Sequence, residues 1–143
     1  MSRNMTSSEC RGFLLHGTRT AKIATVLPDG TPHVAPVWFV LDGDQVVFTT
    51  GADSVKGRNL RRDPRVTLVV DDETPPFAFV HLRGIATISS DLEELRHFAT
   101  EIGARYMGKD RSGEFGRRNA VPGEILVRVT PLLIVAQDNI AGY

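Results

Sequence analysis

The sequence predicts a mainly β domain, a compact antiparallel barrel of six strands with helices at its periphery. Three observations carry this. Six apolar runs of strand length are separated by Gly, Pro and Asp turn signals. One long amphipathic helix follows the fifth run. Prolines inside two of the runs mark edges or bulges, because proline has no N–H for the ladder.

In chain order, residues 1–5 read as frayed, and Thr6, Ser7 or Ser8 caps a short helix to about Leu15, with Glu9 in its first turn and Gly17 ending it. Residues 20–27 (TAKIATVL) suit a mostly buried strand. After the Pro28-Asp29-Gly30 turn, a second strand spans 33–41 and carries Pro36, which places it at an edge. Asp42-Gly43-Asp44 turns the chain into a third strand over 45–50. Residues 54–62 support a helix capped by Asp53 or Ser54 and stopped by Pro64. The β-branched run 65–70 reads as a central strand and 71–76 as an acidic surface loop. In the strand 77–88, Phe77, Phe79, His81, Arg83 and Ile85 share one face. Leu92, Leu95, Phe98, Ala99, Ile102 and Tyr106 recur at helical spacing within 91–107, with acidic residues at the start. Residues 108–123 are polar and glycine-bearing, with a short helix near 113–118, and a last strand over 124–136 is interrupted by Pro131.

Composition bounds the function. A chain of 143 residues makes one domain. With 41% hydrophobic and 24% charged residues it is an ordinary globular protein, and 17 basic against 17 acidic residues leave no global field to draw it to nucleic acid or an anionic membrane. Any anion site must be local. The one cysteine, Cys10, excludes an internal disulfide and fits a reducing compartment, and no run is long enough to cross a bilayer. A cytoplasmic location is the resulting expectation.

Two constellations carry chemistry. Thr49, Thr50, Ser54, Lys56, Arg58 and Asn59 gather hydroxyls, the start of a helix and a lysine in one loop, which suits a phosphate; an N-capped, solvated surface helix is the equally simple alternative. The stretch from His33 to Phe39, beside the proline-made edge and holding the one tryptophan, Trp38, offers a flat apolar surface to a planar heterocycle; Trp38 and Phe39 as core residues of a barrel are the alternative. The four histidines lack metal-ligand spacing, no nucleophile elbow, Walker loop or dinucleotide fingerprint occurs, and the basic run 56–65 has no second basic stretch or aromatic array beside it to bind nucleic acid.

Three stretches together resemble one family: DGTPHVAPVW at 29–38, the loop from Thr49-Thr50 to KGRNL at 56–60, and DPRV at 63–66. They resemble the split β-barrel flavin and deazaflavin oxidoreductases, the superfamily of pyridoxamine 5′-phosphate oxidase, and most of all its actinobacterial branch that uses coenzyme F420. The resemblance implies a homodimer with cofactors in grooves between subunits. It places the phosphate on Thr49, Thr50, Ser54 and Lys56, with Asn59 bracing the loop or adding a donor and Arg58 beside it. It rests the ring on Pro36, Val37 and Trp38, with Phe77 and Phe79 of the partner subunit closing the pocket. The implied activity is hydride transfer to a small conjugated acceptor. The arginines at 58, 61, 62 and 65 offer F420's polyanionic tail a basic exit. FMN in the same fold, and F420 binding without turnover, are the alternatives. The chain lacks the C-terminal tryptophan and arginine motif of the vitamin oxidases, which argues against that activity.

Overall fold

The computed structural model describes residues 1–142 and has the antiparallel, mainly β architecture, but with eight strands in place of six and a sheet that does not close. The order is β1 (Arg3–Asn4), α1 (Ser7–Leu15), β2 (Ala21–Val26), β3 (Pro32–Val37), β4 (Val40–Asp42), β5 (Gln45–Gly51), α2 (Val55–Arg62), β6 (Arg65–Asp72), β7 (Ala78–Ser89), α3 (Leu92–Met107), a 3₁₀ turn (Lys109–Arg111), α4 (Ser112–Asn119) and β8 (Glu124–Asp138). Across the sheet the strands run β3-β2-β6-β7-β8-β5-β4, with β1 on β8. The two ends of this path, β3 and β4, follow each other in sequence. Only the chain at residues 38–39 joins them, so the barrel is split there.

The split has a specific cause. The strand expected over 33–41 breaks because Phe39 bonds to a helix instead of a neighbouring strand: its N–H donates to Tyr106 Oη at 3.2 Å, and its carbonyl accepts from Arg105 Nη1 at 2.7 Å. The N-terminus also departs from expectation. Arg3 and Asn4 pair with Asp138 and Gln137, and Arg3 bridges Glu9 and Asp138 at 2.6 Å each, tying β1 to α1 and β8. The prolines act as read: Pro36 lies on the edge strand β3, and Pro131 sits at a β7–β8 register shift. Gly84 faces Pro131 because a Cβ there would lie 2.4 Å from the Thr130 carbonyl.

Two apolar clusters hold the fold. Ile23, Phe39, Phe48, Leu68, Val80, Leu82 and Val127 fill the curl of the sheet, while Val47 and Leu126, on the other face of β5 and β8, pack under Leu95, Phe98 and Ile102 of α3. Both faces of β5 and β8 are therefore buried, which is why these strands read as continuous apolar runs. Arg128 pins this layer from the side, bonding Asp42 and Glu94.

The Arg3 clamp makes one pH prediction. Its guanidinium, and next the Thr6 amide of the capping box, hold the Glu9 carboxyl at about 2, against 4.5 in a free chain. A carboxyl lowered on folding stabilises fully above 4.5 and loses that contribution as pH falls through about 2. The difference in melting temperature between wild type and Glu9→Gln is accordingly full at neutral pH, shrinks below 4.5 and vanishes near 2. A pH-independent difference would remove the clamp from the account.

Candidate functional site

At the split, a cleft of about 380 Å³ opens between the end of β3, the loop after β5, and the α3–α4 pair. Its first wall is Pro36, Val37 and Trp38. Trp38 is 39% exposed, and its ring stacks on Tyr106 at 5.0 Å and 4°. Tyr106 is fixed in turn, since its hydroxyl donates to the Arg19 carbonyl at 2.7 Å and accepts from Phe39 N–H at 3.2 Å. Burial pushes its phenol above the usual pKa. Arg105 adds three bonds, to the carbonyls of Leu14, Gly17 and Phe39. The aromatic plate is thus a rigid consequence of α3.

Tyr106→Phe keeps the stacking ring and strands two backbone groups, so it costs about 1–3 kcal/mol. It also frees Trp38, the only tryptophan, whose quenching by acrylamide should rise. Unchanged quenching and stability would show that the hydroxyl does not hold the plate.

The polar end of the cleft is Thr49 on β5 and Lys56 in the first turn of α2. Behind them the loop is self-satisfied. Ser54 caps α2 by accepting Gly57 N–H at 3.0 Å and donates its one proton to the Gly51 carbonyl at 2.7 Å, so in the 3.0 Å contact between Thr50 and Ser54 it is Thr50 that donates. Asn59 is 1% exposed and donates to Thr25 Oγ1 at 3.0 Å. Glu124, partly buried beside the loop, has its pKa raised by burial and opposed by Lys56.

Of the residues singled out from sequence, Pro36, Val37, Trp38, Thr49 and Lys56 meet in the cleft. Thr50, Ser54 and Asn59 stand behind it as braces, and Arg58 projects to solvent. The other arginines of the run are engaged: Arg61 with the Ala52 carbonyl, Arg62 with Asn59 and the Val26 carbonyl, Arg65 with Asp63.

Sequence reasoning missed the second wall, made by Ala99, Ile102 and Gly103 of α3 with Phe115, Arg118 and Asn119 of α4. Two glycines bring α4 into place. A Cβ on Gly103 would meet Phe115 Cβ at 2.8 Å, and one on Gly116 would meet Thr100 Oγ1 at 2.1 Å. The helices therefore touch almost backbone to backbone, and Phe115 comes within 6.0 Å of Trp38. These two glycines set a close helix crossing.

With this geometry in hand, the comparisons decide the family. The family model described as pyridoxamine 5′-phosphate oxidase matches residues 7–135. The chain belongs to this family. Among solved structures, the conserved hypothetical protein Rv2991 from Mycobacterium tuberculosis is 28% identical, with a TM-score of 0.83 over 94% of this chain and 86% of that one. A structure named F420 reductase is 27% identical, with a TM-score of 0.68 over 86% of this chain and 94% of its own. An FAD-binding protein from Mesorhizobium loti, 18% identical over 96% of both chains with a TM-score of 0.70, shares the fold. No curated protein matches the chain. The family contains oxidoreductases. Among the described residues no helix is long and apolar enough to cross a membrane.

Proposed function

We propose that this protein is an oxidoreductase that uses coenzyme F420 to pass hydride to a small conjugated organic acceptor, acting as a homodimer in the cytoplasm. One observation supports this above others: a flat apolar plate (Pro36, Val37, Trp38) and a cationic end (Thr49, Lys56) share one cleft. That is the pattern a planar heterocycle with a phosphate requires. The cleft's volume falls within the roughly 300–1,000 Å³ of small-molecule sites.

The bound deazaflavin would supply the hydride chemistry. This chain's part is to bind and orient. Lys56 and the free amides at the start of α2 would hold the phosphate, Thr50, Ser54 and Asn59 keep that loop rigid, and Trp38 backs the ring. Tyr106 is unsuited to deliver a proton, because its hydroxyl is committed to two backbone groups and burial favours its neutral form. The acceptor would take two electrons as hydride, and its proton would come from a donor other than Tyr106.

The dimer is supported by the exposed apolar run Leu132, Leu133, Ile134 and Val135 on β8, of which Leu132 is 70% exposed. In that assembly Phe77 and Phe79 of the partner subunit would complete the site. FMN is the second reading, and one observation favours it: Arg61, Arg62 and Arg65 are engaged within the chain, leaving Arg58 to meet a polyanionic tail. Incubating the protein with reduced F420 and a panel of enones, and following reoxidation of the deazaflavin, tests turnover. Tight binding with no reoxidation would leave a carrier rather than an enzyme.

A further inference from the structure

The cleft bears two cations, Lys56 and Arg118, and no carboxylate among its lining residues. Lys56 stands with Thr49, where the reading above puts the phosphate. Arg118 belongs to the other wall and lies over the Phe115 ring at 4.8 Å, beside the Trp38 plate. Its only ionic partner among the described residues is Glu114, at 3.4 Å. That carboxylate already accepts two bonds from Arg111 at 3.2 Å each, so the hold on Arg118 is weak. Asn119, next in the wall, gives one amide hydrogen to the Phe115 carbonyl and keeps a second hydrogen and its oxygen.

We propose that Arg118, with Asn119, forms an anion subsite at the ring end of the cleft, which selects a planar acceptor carrying a carboxylate. The inference deepens the function proposed above and names its substrate class. A guanidinium presents a planar fork that a carboxylate matches with two parallel bonds, and Arg118 rests its guanidinium over the Phe115 ring at 4.8 Å. An acceptor lying over the ring that Trp38 backs would place a terminal carboxylate within this wall, whereas a neutral analogue leaves Arg118 with Glu114. The glycine contacts at 103 and 116 give the subsite a fixed distance from the plate, which a surface arginine on a loose loop would lack.

The test uses sorbate, a planar conjugated carboxylate, against its neutral primary amide. Binding is measured by calorimetry on the protein alone and loaded with F420, and in the protein alone Trp38 emission reports contact with the plate. Sorbate should bind more tightly than the amide. Arg118→Gln should weaken sorbate about fivefold or more and leave the amide unchanged. Arg118→Lys should recover part of the loss, and Arg117→Gln, one residue away and outside the cleft, should change nothing. Equal affinity for sorbate and amide, no sorbate binding, or the same loss from Arg117→Gln would overturn the subsite. Failure of F420 to bind while the protein alone still prefers sorbate would instead overturn the F420 reading and leave the subsite standing.

Discussion

Lys56→Ala weakens binding of the phosphate-bearing cofactor by about tenfold to a hundredfold, the range for loss of one charge-assisted hydrogen bond. The side chain lines the cleft in the first turn of α2, where the backbone N–H groups and the helix dipole also favour an anion. Removing it also takes away the charge that opposes the effect of burial on Glu124, whose carboxyl then shifts further toward its neutral form. No hydrogen bond or ion pair ties Lys56 to the rest of the chain among the described residues, so the fold should melt within about a degree of wild type. Lys56→Arg keeps the charge and should retain most of the affinity. Salt should weaken the wild type more than the alanine variant, since one screened contact has gone. Equal cofactor affinity in wild type and Lys56→Ala would place the phosphate elsewhere.

Gly57→Ala is expected to destabilise the protein by about 1–3 kcal/mol, lowering the melting temperature by roughly 3–10 °C. The sign is informative, because glycine in a helix is ordinarily the poorer residue and alanine would gain about 0.5–1 kcal/mol. Here a Cβ would lie 2.3 Å from the Gly51 carbonyl oxygen, 3.0 Å from that of Ala52 and 3.1 Å from Ser54 Oγ. Two of the three atoms are backbone, so residues 51–54 must move as a unit. That motion breaks the relay from Thr50 through Ser54 to Gly51 and the cap on Gly57 N–H, and it carries Lys56 with it. Cofactor affinity should fall alongside stability. Ser54→Ala removes the cap without the clash and should cost about 1 kcal/mol. A Gly57→Ala protein as stable as wild type would mean that the loop yields freely, and rigidity would drop out of the binding argument.

Local chemistry made much of this fold legible. The period of α3 and the alternation along β7 depend on residues near each other in sequence and stand where pattern placed them; the caps fall on Thr6 and Ser54, each one of the candidates the sequence offered. The break at Trp38–Phe39 was not legible, because what ends β3 is a tyrosine and an arginine some 67 residues away competing for the Phe39 backbone. Nor was β1, a pair of residues held by Arg3 on Asp138 at the far end of the chain.

The site divides the same way. Pro36, Val37 and Trp38, and the loop that carries Thr49 and Lys56, come from contiguous stretches, and these five residues meet in the cleft. The α3–α4 wall comes from a shape match at Gly103 and Gly116, which only the folded chain displays. Thr50, Ser54 and Asn59 had the right chemistry for donors, but the structure commits both hydroxyl hydrogens and one of the two Asn59 amide hydrogens to neighbours.

The most direct measurement is a titration of the purified protein with F420 and, in parallel, with FMN, followed through Trp38 emission. The account predicts that F420 binds in the micromolar range or tighter, that it quenches Trp38 by lying against it, and that it exceeds FMN in affinity. Tight FMN binding without F420 binding would contradict the choice of cofactor and keep the cleft. Binding of neither, or binding that leaves Trp38 emission untouched, would contradict the cleft itself.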